Sequence, residues 1–446
     1  MIKHYARLID DMPKLGRGVA IALLALAAAC QSAEDATDAS PEGGSQDSAS
    51  QSGAAAGPLK IGTLLPITGD LAQYGGPMED SANLLRDTVN ACGGVLGQSV
   101  ELISEDTQTE PSAGASAMSK LVEADQVGGV VGAAASSISS AAVDIAVRNS
   151  VVQISPASTS PVFTERAKTG DFNGYWFRTA PPDTFQGDAL ARLASDRGFD
   201  RVAVLAINND YGNGLVASFS SAFEAQGGTV ANSANPTLYT PDAATFDSEV
   251  SEAFSGSPDA VLLVAYPETG SLILKSAFEQ GLLEGGTQVM LTDGMKDDAI
   301  AELVGKTASG DYIISGVFGT APSSEGPALE RFTQIYQDAF DREPSVFDPN
   351  TWDAAALIAL AAEAAQSTAG PDIQTSISEV ANAPGQPVSD VCEGLALLRD
   401  GEDIDYQGAS GVVDLDEQGD VVGSYDVWSI DEEGALVIED TVTIGG

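Results

Sequence analysis

Histidine is almost missing from this sequence. The 446 residues contain one, His4, and it lies in a segment that reads as cleavable. A chain without histidine cannot build Ser-His-Asp or Cys-His catalytic machinery or a His-ligated metal site. Basic residues are also scarce, 20 Lys+Arg against 65 Asp+Glu, for a formal charge of −45. Such a surface repels nucleic acid and anionic lipid headgroups, so neither is an expected partner. There is no GxSxG, no GxxxxGK[ST] and no GxGxxG after a strand-like run, which leaves no nucleophile elbow and no phosphate cradle. The segment Asp414-Leu-Asp416-Glu-Gln418-Gly419 resembles the start of a calcium loop, but its twelfth position is Tyr425 rather than a bidentate Glu, so it reads as a turn at Gly419. No enzyme activity, cofactor or metal is expected. Apolar residues make up 43% of the chain, enough to build cores in two domains.

Residues 1–29 read as an address. Lys3, Arg7, Lys14 and Arg17 precede the apolar run from Val19 to Ala29, and small residues lead to Cys30. A basic start, a short apolar stretch and a small-residue boundary describe an export signal. The run is shorter than the ~20 residues of a membrane span. A Cys at that boundary resembles a bacterial lipoprotein signal, in which the Cys is acylated and becomes the mature N-terminus. The aliphatic residue usual three places earlier is replaced by Ala27, with Leu26 one step early; the other reading is an ordinary signal peptide with an incidental Cys. Residues 31–57 hold five acids, no base, no aromatic and no Val, Ile or Leu. They read as a solvated tether, part of a disordered stretch from 30 to 57. The expected location is the periplasm or the outer face of a membrane, with anchoring at Cys30.

From Leu59 the text alternates. Short apolar runs such as Leu59–Ile67, 129–132, 151–154, 201–207, 260–264 and 288–291 are separated by helical spacings, for example Pro77–Ala91, 184–197 and 215–226. Near-continuous apolar strands between amphipathic helices predict parallel sheets covered on both faces. The beat restarts after Trp176-Phe177-Arg178, which predicts two doubly wound α/β lobes. Residues 325–399 read as mostly helical and Ala-rich. GVVDLDEQGD and SYDVWSI near the C-terminus read as a hairpin plus an edge strand.

In open α/β sheets ligands sit beyond the carboxyl ends of strands. The turns Ala133–Ser137 and Ser155–Thr159 follow two such strands, and their small residues let backbone approach a ligand. Ser136 at a helix start can cap the helix or donate to an anion. Taken alone, Ser136 and Thr159 also read as mere cap and turn residues, and Asp293 as the turn residue before Gly294.

The phrases LKIGTLLPITGDLAQYGG, GGVVGAAASSISSAA, ISPASTSP, FRTAPPDTFQG, NNDYGNGL, VLLVAYPETG, MLTDGMKD and SGVVDLDEQGD occur in this order. The set resembles the branched-chain amino acid (Leu/Ile/Val) type of ABC-transporter solute-binding protein, in the periplasmic binding protein type I family. The resemblance implies two α/β lobes joined by three crossings, here near Ala180, Gly319 and Gly408, with a ligand in the cleft. It divides the body into a first lobe of 58–179 with 320–407 and a second of 180–319 with 408–446. It implies that Ser136, Ala157 and Thr159 hold an amino acid's carboxylate and ammonium, that Asp293 pairs the ammonium where the family often has Glu, and that Tyr74, Tyr211 and Tyr266 wall the pocket. The implied protein is a monomer that captures an amino acid for the membrane permease of an importer. A tethered sensor, or the same fold holding a short amide or another small carboxylate, stays open. Once Cys30 is acylated, Cys92 and Cys392 remain as an even pair in an oxidising place, and a disulfide between them is expected.

Two outcomes are expected. Cys30→Ser, expressed in a bacterial host, moves the protein from the membrane fraction to the soluble fraction. Cleavage before Cys30 leaves 16 bases against 63 acids. Exposed like charges are screened with a Debye length of about 10 Å at 0.1 M salt, so the melting temperature rises from low to molar sodium chloride.

Overall fold

The computed structural model describes residues 57–443. The expected export signal, Cys30 and the expected tether as far as residue 56 lie outside the described residues. The rest is built from parallel sheets with helices on both faces, as the alternation predicts. The first sheet has five parallel strands, Lys60–Leu65 (β1), Glu101–Asp106 (β2), Gly129–Gly132 (β3), Val152–Ser155 (β4) and Trp176–Arg178 (β5). Their order is β2-β1-β3-β4-β5. β3 and β4 are buried along their whole length; β3 therefore reads as an unbroken run without polar residues, while β4 buries Gln153 and Ser155 among its apolar residues.

The second sheet begins with Arg201–Ile207 (β6), Thr229–Val230 (β7) and Thr237–Tyr239 (β8), then Ala260–Val264 (β9), Gln288–Leu291 (β10) and Phe318–Pro322 (β11). A two-stranded parallel ladder, Gln386–Val388 (β12) with Ile404–Tyr406 (β13), stands apart. Ser424–Ile430 (β14) and Leu436–Thr443 (β15) complete the second sheet, whose order is β15-β14-β11-β10-β9-β6-β7, with β8 also on β6. β14 and β15 run antiparallel to β11 and to each other. The segment SYDVWSI, expected at an edge, is therefore β14, an inner strand, and β15 forms the edge. The turn at Gly419 is present, closed by the Gly419 amide on the Asp416 carbonyl at 3.0 Å. Its flanks form no ladder, because Val413, Leu415 and Val421 are drawn into the core of the first lobe.

That packing also moves the lobe boundaries. β11 keeps residues 318–322 in the second sheet, past the crossing expected near Gly319. Residues 409–421 stay with the first lobe, past the crossing expected near Gly408. Asp353 takes the amides of Ala409 and Ser410 at 2.9 and 2.7 Å, and Asn382 brackets Leu415 through both backbone groups. The second-sheet register resumes at Ser424.

Two helices start earlier than the apolar spacing predicts, and both carry candidate site residues. The helix expected from Pro77 runs Ala72–Ala91 with Pro77 inside it. Its first turn is held by the Ala72 amide on Gly69 and the Tyr74 amide on Leu71. It lies so close to the end of β1 that a Cβ on Gly75 would stand 1.9 Å from the Pro66 carbonyl oxygen. The helix expected from Leu215 runs Asp210–Ala225, because the Asn209 side chain accepts from the Gly212 amide at 2.9 Å and caps it. The Ala-rich helix Asp348–Ala364 is buried on nearly every side. It is wedged between the first sheet and the helices Ala72–Ala91, Gly370–Ala381 and Val391–Arg399, as an all-round apolar helix must be.

Cys92, just after the helix Ala72–Ala91, and Cys392, in the helix Val391–Arg399, are joined as a disulfide with their Cα atoms 5.8 Å apart. The bridge closes a loop of about 300 residues. In the chain-entropy account such a crosslink stabilises by a few kcal/mol, typically ~2–4. Alkylation of denatured, unreduced protein should find neither thiol free, and Cys92→Ser with Cys392→Ser should lower the melting temperature.

Candidate functional site

The site forms where the carboxyl ends of β3 and β4 face the carboxyl ends of the second sheet. At the end of β3, Gly132 has φ +130°, and a Cβ there would stand 2.3 Å from the Leu64 carbonyl oxygen. Only glycine lets the chain turn so close to β1. The turn then delivers Ala133, Ala134 and Ala135 to the start of the helix Ser136–Arg148. The turn after β4 is laced to it. The Ser155 hydroxyl donates to the Ala133 carbonyl at 2.6 Å, and the Ser158 hydroxyl reaches the Ala134 carbonyl at 3.1 Å. The Ser136 hydroxyl accepts from the Ser160 amide at 3.2 Å. Small residues thus hold two strand-end turns side by side, with the first-turn amides of a helix beneath them.

Arg178, at the end of β5, fixes this assembly from below. It is completely buried. Its guanidinium pairs with Asp420 at 2.7 Å and donates to the carbonyls of Ser158 and Ser160 at 3.0 Å each. It also donates to the Thr164 hydroxyl at 2.7 Å. Each nitrogen of this cation is engaged by the protein itself: one carboxylate, two carbonyls and one hydroxyl.

The second lobe supplies the aromatic and acidic part. Tyr211, in the first turn of its helix, donates to Asp293 Oδ1 at 2.6 Å and takes the Gly294 amide at 3.3 Å. Its ring stacks on Tyr266 with centroids 5.7 Å apart and planes 9° from parallel. The Tyr266 hydroxyl accepts from the Asn209 side-chain amide at 3.3 Å. Tyr74 reaches across from the first lobe, its hydroxyl 3.3 and 3.2 Å from the carbonyl oxygens of Gly294 and Lys296.

A cavity of about 30 Å³ lies between these elements. Its lining includes Ser136, Ala157, Tyr74, Tyr211, Tyr266 and Asp293, so the structure brings those six candidates together. Thr159 lies outside the lining. Its hydroxyl is buried without a hydrogen bond, and its carbonyl accepts the Asp183 amide at 2.8 Å. Ala134, Ala135 and Gly294 add to the wall, and three larger apolar residues, Leu71, Met78 and Phe347, complete it. The sequence reading missed these three. Leu71 and Met78 flank Tyr74 at helical spacing and were legible as neighbours; Phe347 comes from a distant segment and carried no local signal.

Asp183 was also missed. As the first residue of the helix Asp183–Asp196, after two prolines, it reads as an ordinary first-turn acid. In the structure it is fully buried, and neither carboxylate oxygen has a hydrogen-bond partner. Burial pushes its pKa well up, the charge of Asp293 adds to this, and the Thr159 hydroxyl and Arg178 pull the other way. Asp293 is raised chiefly by burial, against the hydrogen bond from Tyr211. Turn amides and the Ser136 hydroxyl on one side, the Asp293 carboxylate on the other and rings between them suit a small molecule bearing both charges. Among the described residues no group of three or more His, Cys, Asp or Glu is placed to hold a metal ion, and no helix is long and apolar enough to cross a membrane.

Comparison with known proteins agrees with this architecture. The chain is 23% identical over 393 residues to a chemotactic signal transduction system substrate-binding protein of Halobacterium salinarum, covering 84% of this chain and 88% of that protein. It is 28% identical over 272 residues to a Leu/Ile/Val-binding protein of Rhizobium johnstonii, covering 60% and 70%. The crystal structure of a leucine-binding protein from Thermotoga maritima superposes with a TM-score of 0.72 at 25% identity, covering 86% of this chain and 99% of that one. The family model described as the receptor family ligand binding region matches residues 78–433. The chain belongs to that family, the type I periplasmic binding proteins.

Proposed function

We propose that this protein is an extracytoplasmic solute-binding lipoprotein that captures an amino acid with an aliphatic, branched side chain and delivers it to an ABC importer. The observation that carries the reading is Asp293, a buried carboxylate oriented by Tyr211 at the edge of a cavity otherwise walled by rings and apolar side chains. A carboxylate there is costly unless a cation meets it, and an α-ammonium is a cation of the right size. The Ser136 hydroxyl and the amides of the Ser136 and Ala157 turns take the ligand carboxylate in this reading, and the Ala157 carbonyl shares the ammonium, with Thr159 behind the cavity wall rather than on it. Leu71, Met78, Phe347 and the three tyrosines pack the side chain. No base lines the cavity, which disfavours acidic side chains. The protein acts as a binder without catalysis, as a monomer, with a lipid on Cys30 holding it near the membrane permease that receives the ligand.

A second reading is a tethered sensor that passes ligand occupancy to a signalling partner. The Halobacterium salinarum relative, named for a chemotactic signal transduction system, favours it. The fold and pocket are the same in both readings. A permease and ATPase encoded beside this chain support delivery; a transducer or kinase supports sensing.

Titration calorimetry against leucine, isoleucine and valine tests the ligand assignment. Asp293→Asn keeps the size and removes the charge. Loss of one partner from a buried pair costs ~3–5 kcal/mol, so binding should weaken about 100-fold or more. Thr159→Val removes a hydroxyl that stands behind the cavity wall beside Asp183 and should cost about 1 kcal/mol. Tyr266→Phe keeps the ring and should cost less than either. Equal affinity of Asp293→Asn and wild type removes the amino-acid pose. No heat from these ligands, from other amino acids or from short amides removes the reading as a whole.

A further inference from the structure

The feature left over from the site is the second carboxylate. Asp183 is fully buried; the Thr159 hydroxyl stands beside it, but neither carboxylate oxygen closes a hydrogen bond of good geometry. Gln186, three residues on and so on the same helix face, is also fully buried. It donates to Thr320 while standing within reach of Asp293. That face of the helix Asp183–Asp196 therefore looks toward Asp293. The neighbouring groups offer little compensation for two negative charges. Tyr211 donates to Asp293 alone. The Tyr425 hydroxyl, near both acids, donates to the Pro182 carbonyl. Tyr74 and Tyr266 are neutral phenols with partners elsewhere. Arg178, the one nearby cation, is committed to Asp420 and to three oxygens of the 158–164 segment.

We propose that Asp183 and Asp293 hold one proton between them and give it up when the ligand ammonium enters, so that ligand capture releases a proton. Two buried ionised carboxylates whose one nearby cation, Arg178, is already paired with Asp420 repel each other and pay a large desolvation cost, and one proton between them relieves both. An ammonium supplies the missing positive charge, and both acids can then ionise. Both carboxyls lie above the ordinary carboxylate range, which is the direction this exchange requires. Binding that releases a proton strengthens as pH rises, by up to about tenfold per pH unit for one full proton. Asp183 is here a positioning residue for charge, acting through Asp293. The inference rests on the amino-acid reading of the site.

The sequence makes the test clean. Its one histidine is His4, so in protein cleaved before Cys30 no imidazole titrates between pH 5 and 8, where leucine itself neither gains nor loses a proton. Calorimetry with leucine, in pairs of buffers with unlike ionisation heats at several pH values in that range, counts protons released. Wild type should release between about half and one proton at one or more of these pH values. Asp183→Asn should bind leucine with buffer-independent heat and an affinity flat in pH. Binding without proton release in wild type, or equal release in Asp183→Asn, overturns the proposal. Absence of any binding heat overturns the amino-acid reading instead. The pair is then judged by infrared difference spectra of wild type against Asp183→Asn, or against Asp293→Asn if the first variant does not fold. A protonated-carboxyl band at neutral pH that vanishes in the variant supports the shared proton, and an unchanged spectrum overturns it.

Discussion

Arg178 is the residue on which the arrangement of this molecule turns. It ends the last strand of the first sheet, where the chain departs for the second lobe, and its partner Asp420 lies just before the chain departs again into β14. The Arg178 amide also donates to the Gly419 carbonyl at 3.0 Å. The same guanidinium holds the carbonyls of Ser158 and Ser160, which shape the turn that approaches the ligand. One buried cation thus sets the distance between two crossings and the shape of half the binding surface. A buried pair like this is no guarantee of stability against an apolar replacement, but removing either partner strands a charge at a cost of ~3–5 kcal/mol. What it secures is geometry, and a pocket assembled from two separate lobes depends on geometry more than on any one contact.

The fold was legible because the central strands of both sheets are buried on both faces. Runs such as Ala260–Val264 and Arg201–Ile207 read as parallel-sheet strands in the sequence and are strands in the structure. Where the reading slipped, local text was overruled by distant partners. The start of the helix Ala72–Ala91 is held by loop backbone and by the Thr109 hydroxyl on the Leu71 amide, which periodicity cannot register. β8, three residues long, is too short to show any period. GVVDLDEQGD has the look of a hairpin, yet its valines and leucine serve the first-lobe core, and Asp353, some sixty residues earlier in the chain, takes the backbone beside them.

The site divides in the same way. Turns of small residues after apolar strands, and tyrosines at strand ends, are local signals that the sequence displays. Phe347 meets Tyr74 edge-on at 6.2 Å only because the helix Asp348–Ala364 packs against the helix Ala72–Ala91. Asp183 was hidden for a different reason. An acid in the first turn of a helix is so common that its type carries no information; only its burial and the lack of a partner set it apart, and both are properties of the assembled lobes.

The Tyr74 hydroxyl, poised over the carbonyls of Gly294 and Lys296, has a kinetic consequence. Both sides of that contact are protein, so it favours lobe closure whether or not a ligand is inside. A hydrogen bond of this kind is worth about 1 kcal/mol, which multiplies the closed-to-open ratio about fivefold in free and occupied protein alike. The gain in apparent affinity is matched by a longer dwell, since the same contact must break before the ligand leaves. Whatever separates the lobes therefore works against Tyr74 first, and the strength of that one contact sets part of the rate at which a ligand can leave.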